Sequence, residues 1–261
     1  MQVDSDKTPR LITFAVSHYC EKARWALERL NIPFIEECHL PGFHWLYTRP
    51  YGGRSVPVLV TQDNIFTDST DILQYLDGIA PLDKRLYPAD INLRREVEEL
   101  AHLFDTQLGT AVRRWSYSYL LNNRKLMRHF WCEGVPSLES KLFPIVFPLV
   151  SSLARRRYKI TAQSAASSLD TIKRIFATVN KRLADGRSYL IGDYFSAADL
   201  TFACLAAPLV RPPEYRGKKY QGRLNLQELP REMILVCKEL RRTPAGKYAL
   251  RLFREERLSK S

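Results

Sequence analysis

The spacing of apolar positions changes along the chain, and the change divides it in two. Over the first eighty residues, short apolar runs alternate with one-sided amphipathic stretches. Leu11 to Val16 is an almost unbroken apolar run of strand length, which reads as a buried strand. Tyr19 to Leu30 follows a helical period, with Ala23, Trp25, Ala26, Leu27 and Leu30 on one side. Asn31-Ile32-Pro33 closes that helix, because a proline disfavours helical backbone in the residue before it. Phe34 to Cys38 reads as a second strand, Pro41-Gly42 as a turn, and His44 to Tyr51 as an irregular or partly helical connector. Val58 to Thr61 is a third strand. Gln62-Asp63-Asn64 turns the chain into a short return strand at Ile65-Phe66, and Ser69 to Leu76 reads as a helix.

The residues from 78 to 90 carry Gly78, Pro81 and Pro88 and read as a linker. Beyond them only the helical period remains. Ile91 to Leu121 is a long helical region with Val97, Leu100, Ala101, Phe104 and Leu108 on one side. Further helices are expected near 138–158, 162–184, 196–210, 229–241 and 244–257. The longest apolar stretch, Leu142 to Ala154, has the length of a buried helix and falls short of the ~20 residues of a membrane span. With Pro144 and Pro148 inside it, a kinked core helix is expected. There is no internal repeat. The division expected is an α/β domain over 1–79, a linker over 80–90 and an all-α domain over 91–261.

Composition narrows the setting. The 261 residues are 45% hydrophobic, enough for a packed core. The start, Met1 to Arg10, is polar, so neither a secretory signal nor an Arg-rich transit segment is expected. The five cysteines (Cys20, Cys38, Cys132, Cys204 and Cys237) are odd in number and form no CxxC pair. They imply neither a disulfide framework nor a zinc site, and a reducing, cytoplasmic setting fits. The net charge of +12 is partly local. Between 111 and 160 there are ten Lys or Arg against two acids, Glu133 and Glu139. Such a region attracts anions: acidic lipid, a charged substrate or nucleic acid. No nucleic-acid motif accompanies it, so a nucleic-acid partner is not expected.

The candidate chemistry lies at the first strand-to-helix turn, Ser17-His18-Tyr19-Cys20. Backbone N–H groups are unpaired at a helix start and the helix dipole is positive there, so the site favours an anion, a thiolate included. A serine hydroxyl beside a bound thiol lowers its pKa by donating a hydrogen bond to sulfur. Ser17 also suits a plain N-cap role. Cys20, three residues on, stands where a CxxC oxidoreductase has its second cysteine. With serine in the first place, only a mixed disulfide is open to it, and only if it is exposed.

Two more signals follow: Ser55-Val56-Pro57-Val58-Leu59 at the mouth of the third strand, and Thr67-Asp68-Ser69 opening the next helix. In this order and spacing, the segment resembles the thioredoxin-like domain of the glutathione transferase superfamily, in its serine- and cysteine-type members. The later run Gly192-Asp193-Tyr194-Phe195-Ser196-Ala197-Ala198-Asp199 is similar to that superfamily's capping box, where Ser196 caps the helix and Asp199 reaches back to the Ser196 amide. The segments Trp131 to Pro136 and Pro212 to Tyr215 resemble bacterial members of no well-studied class. The resemblance implies a thioredoxin-like α/β N-terminal domain, an all-α C-terminal domain, glutathione as co-substrate and no metal. It implies that Ser17 stabilises the glutathione thiolate and that Pro57 is cis. The Val56 backbone would pair with the cysteinyl part of glutathione. Asp68 would meet the γ-glutamyl ammonium, and Ser69 the carboxylate. Arg54 and His44 fall where relatives place cations near the glycyl carboxylate.

The electrophile pocket is expected between the domains, with Phe104, Arg113, Arg114, Trp115, Tyr117 and Tyr119 as wall candidates. The resemblance also implies a homodimer. Two other functions remain open: a glutathione-dependent oxidoreductase through Cys20, and a non-enzymatic module at an anionic surface through the basic 111–160 region.

Overall fold

In a computed structural model of the chain, residues 8–215 and 229–257 are described. The first domain is a four-stranded sheet of β1 (Arg10–Thr13), β2 (Ile35–Cys38), β3 (Val58–Val60) and β4 (Ile65–Phe66), in the order β2-β1-β3-β4. β1 and β2 are parallel, as expected of strands joined through a helix, here α1 (His18–Arg29). β3 runs antiparallel to both β1 and β4. A short helix, α2 (His44–Thr48), and one 3₁₀ turn connect β2 to β3, and α3 (Ser69–Ile79) follows β4. The first strand ends at Thr13, sooner than its apolar run, because Phe14 to Val16 already turn towards the N-cap of α1.

The second domain is helical: α4 (Ile91–Leu103), α5 (Thr110–Leu120), α6 (Arg124–Cys132), α7 (Ser137–Arg157), α8 (Ala162–Arg182), α9 (Ala197–Val210), α10 (Arg231–Arg242) and α11 (Pro244–Glu255). α9 is the centre of the core, buried on nearly all its length. It starts with the expected box: Asp199 accepts from the Ser196 N–H at 2.7 Å and from the Leu190 N–H at 2.9 Å. Burial raises the Asp199 pKa, and these bonds oppose the rise.

Three features depart from the sequence pattern. The single helix expected over Ile91–Leu121 is interrupted by a π-helical turn, Phe104–Gly109. A side chain at Gly109 would collide with the Tyr19 ring of α1, so the two domains approach closely only because residue 109 is glycine. α6 has no counterpart in the expected helices. And α7 is not a core helix. Its inner side is one row, Glu139, Phe143, Phe147 and Ser151, while Ile145 and Leu149 are 75% and 65% exposed. By length and composition alone α7 is long and apolar enough to cross a membrane. Its inner row, however, is committed to the domain. Glu139 accepts from the Leu40 N–H and meets His39 Nδ1, both at 2.8 Å, and Phe143 and Phe147 pack on Trp131.

The domains are joined by buried charge. Lys22 on α1 holds Asp105 of the π turn at 2.7 Å. Arg257, just past α11, lies inside the first domain against Glu21 at 3.0 Å and against Glu28. Arg24 extends the network to Glu36 at 2.6 Å. Each of these charges has a partner at hydrogen-bond distance, which a buried ion requires.

Candidate active site

Ser17 is the N-cap of α1, and its hydroxyl oxygen accepts from the Cys20 N–H at 3.3 Å. A hydroxyl has one hydrogen to give and rotates to place it. With its oxygen engaged by the helix, Ser17 keeps that hydrogen for a group arriving at the positive end of the α1 dipole. The Ser17 backbone N–H is already bound to the Phe14 carbonyl at 3.0 Å, so the hydroxyl is the donor this residue offers.

The sheet brings the other two motifs to the same end. The Val56-Pro57 peptide is cis. β3 and β4 pair Leu59 with Phe66, and continuing that register sets Pro57 opposite Asp68 and Val56 opposite Ser69. β1 and β3 pair Ile12 with Val58, which sets Phe14, three residues before Ser17, opposite Val56. Asp68 is exposed and caps α3, accepting from the Thr70 N–H at 2.7 Å. Ser69 is buried, 3% exposed, rather than presented on the open surface. The Thr70 hydroxyl donates to Asp105 at 3.2 Å, and the Tyr19 hydroxyl donates to the Asp105 carbonyl at 2.7 Å. The π turn thus ties the starts of α1 and α3 together, a role that nothing in the sequence pattern singled out for Asp105.

Beside Ser17 opens a cleft of about 520 Å³ between the domains. Ser17, His18, His44 and Val56 line its first-domain side, and Arg113, Tyr117, Phe130, Trp131 and Tyr158 are on the helical side. Pro208 near the end of α9, Arg211 to Pro213 just past it, and Tyr215 are also part of the wall. Tyr215 donates to the Val16 carbonyl at 3.2 Å, which fixes this segment to the turn before Ser17. His18 is buried and its Nε2 lies 3.1 Å from the Gly109 carbonyl, so that nitrogen carries the proton. Burial, with Arg113 nearby, pushes the His18 pKa down to about 3, and the ring is neutral at pH 7.

The sequence itself matches known family models in both domains. Residues 11–84 match the family model described as Glutathione S-transferase, N-terminal domain, and residues 161–231 match Glutathione S-transferase, C-terminal domain, together more than half of the chain. The chain belongs to the glutathione transferase superfamily. No curated protein sequence matches it significantly. Among solved structures, the beta-etherase LigF from Sphingobium sp. strain SYK-6 superposes with a TM-score of 0.60 at 17% identity, over 94% of this chain and 99% of that one. A glutathione S-transferase from Rhodospirillum rubrum F11 gives 0.56 at 18% identity, over 95% and 99%. A third, from Methylobacillus flagellatus KT with glutathione bound, gives 0.54 at 16%, over 93% and 98%. At these identities the likeness speaks for the fold.

Measured against the superfamily pattern, several expected positions change character. His44 lines the cleft but is no cation: burial pulls its pKa down to about 4, and its Nδ1 accepts from the Gly42 N–H at 3.2 Å. It lines the cleft as a neutral ring. Arg54 is exposed and does not line the cleft. Cys20 is 0% exposed and burial raises its thiol pKa, so the exposure that an oxidoreductase role requires is absent. Of the wall candidates, Arg113 and Tyr117 line the cleft, whereas Phe104 and Trp115 are fully enclosed in the core. Arg114 points elsewhere, donating to the Tyr158 carbonyl at 2.8 Å, and Tyr119 borders a different hollow. Tyr158, Phe130 and Met127 escape a reading of the sequence because α6 was not expected and the apolar run of α7 does not tell its inner side from its outer one.

Proposed function

We propose that this protein is an enzyme that conjugates the thiolate of glutathione to a hydrophobic or aromatic electrophile. The observation that carries the reading is Ser17: a partly buried N-cap of α1 that lines the cleft, with its oxygen engaged by the helix and its hydrogen available. Glutathione would lie along the sheet end, its cysteinyl backbone against Val56, its γ-glutamyl end at Asp68 and the start of α3. The bound structure from Methylobacillus flagellatus supports glutathione as the ligand of this fold. The thiol proton leaves to water. The sulfur, held as thiolate by the Ser17 hydrogen and the α1 dipole, attacks the electrophile in the cleft and forms a C–S bond as a leaving group departs or a double bond takes up a proton. Ser17 neither ionises nor bonds covalently. A homodimer is part of this reading by family likeness.

Loss of a hydrogen bond to a charged group costs about 1.5–3 kcal/mol, roughly 10- to 100-fold in rate. Ser17→Ala is therefore expected to keep glutathione affinity while kcat for conjugation falls by about that factor. Steady-state kinetics checks it. Wild-type kcat in Ser17→Ala removes Ser17 from the reaction.

A further inference from the structure

Among its described lining residues, the cleft has three arginines, Arg113, Arg211 and Arg241, and no aspartate or glutamate. Arg241 serves the fold, donating to the carbonyls of Val210 and Arg211 at the C-terminal end of α9. Arg113 is different. Its guanidinium lies 4.9 Å from the centre of the Tyr19 ring and 5.1 Å from that of Tyr158. These rings hold it by cation–π attraction and fix its place. The groups that act on its charge are the tyrosines Tyr158, Tyr19 and Tyr117, Tyr158 also through a side-chain hydrogen bond, and among the described residues no ion pair joins it to a carboxylate.

The surroundings heighten the effect. Val112, Leu120, Met127, Phe130 and Trp131 make that wall apolar. A guanidinium taken partly out of water and left without a counter-charge is costly, and an arriving anion supplies that charge. The two histidines of the cleft are neutral, and Arg113 is itself one cause of the low pKa of His18. They neither compete for an anion nor carry one away by losing a proton.

We propose that the cleft is made for electrophiles with an apolar or aromatic body and an anionic group, a carboxylate or sulfonate, and that Arg113 pairs with that group. The inference deepens the transferase reading and rests on it for the word electrophile. The anion site itself stands on the cleft geometry.

Two paired probes separate the claims. The first pair is 8-anilinonaphthalene-1-sulfonate and N-phenyl-1-naphthylamine, the same skeleton with and without the anion, titrated by fluorescence. The second is ethacrynate and its methyl ester. In both, glutathione sulfur adds to the terminal CH2 of the enone, the π pair moves to the neighbouring carbon and water supplies a proton there. Each is measured with wild type, Arg113→Leu and Arg113→Lys.

Arg113→Leu is expected to weaken the sulfonate by about tenfold or more, the range of a charge-assisted hydrogen bond, and to raise KM for ethacrynate alike. The neutral probe and the ester should change by less than about twofold, and Arg113→Lys should retain most of the preference. The neutral probe doubles as a check that the variant folds. Equal losses for charged and neutral partners, or no loss for either, would overturn the anion site. If sulfonate binding discriminates but neither enone is conjugated even by wild type, the anion site holds and the transferase reading fails. If both enones are conjugated with no discrimination at Arg113, the transferase reading holds and the anion site fails.

Discussion

Ser17 was legible at the level of single residues because its position is a consequence of chain geometry: a strand that ends and a helix that begins must pass through a capping residue. His44 was legible as a position but not as a charge. The helix α7 lies close by, with Val146 and Val150 over Gly42, two residues away. The long apolar run pointed to a core helix and so gave no sign of what α7 covers. The neutral imidazoles have a measurable consequence. The ordinary pKa is 6.5, and in the folded protein those of His18 and His44 fall to about 3 and about 4. Between pH 6.5 and 4 the unfolded chain binds protons that the folded chain does not, so stability is present above 6.5 and is lost as the pH falls. At pH 5 each ring is expected to withhold about 1–2 kcal/mol relative to pH 7. Urea unfolding at the two pH values checks this, and His44→Asn, which keeps an acceptor for Gly42, should flatten the difference. An unchanged slope in that variant would show that His44 does not titrate as its burial implies.

Among the elements, α7 shows where reading a sequence reaches its limit. Residues 142–154 are apolar almost all round, and a helix apolar on every side has no period to tell inside from outside. Pro144 and Pro148 are both on the exposed side. What fixes the orientation is Glu139, a single polar residue that takes the Leu40 N–H and faces His39. Glu139→Ala leaves both groups buried without that acceptor, at an expected cost of about 1–3 kcal/mol. Trypsin cleavage after Arg155 to Lys159 should speed up accordingly. Glu99→Ala, which breaks an exposed pair with Arg95, should change little. Equal cleavage rates in the two variants would mean that Glu139 does not clamp α7. β3, β4 and the α9 box, by contrast, follow from turn residues and a cap written in adjacent positions.

For the whole molecule, the first domain presents Ser17, Val56 and Asp68 at one sheet end, and the helical domain closes an apolar, cationic cleft over it. Buried pairs across the boundary, Lys22 with Asp105 and Arg257 with Glu21, hold the two in register. None of these pairs was legible, because they join residues far apart in sequence and no local pattern links them. This assembled end is the proposed binding site for glutathione. The direct test is calorimetric titration of reduced glutathione into the wild type, Asp68→Asn and Ser69→Ala. Asparagine keeps the cap on Thr70 and removes only the charge. One saturable site of micromolar to millimolar Kd is expected in the wild type, weakened about tenfold or more in both variants. No saturable heat in the wild type, or wild-type affinity in both variants, would contradict it.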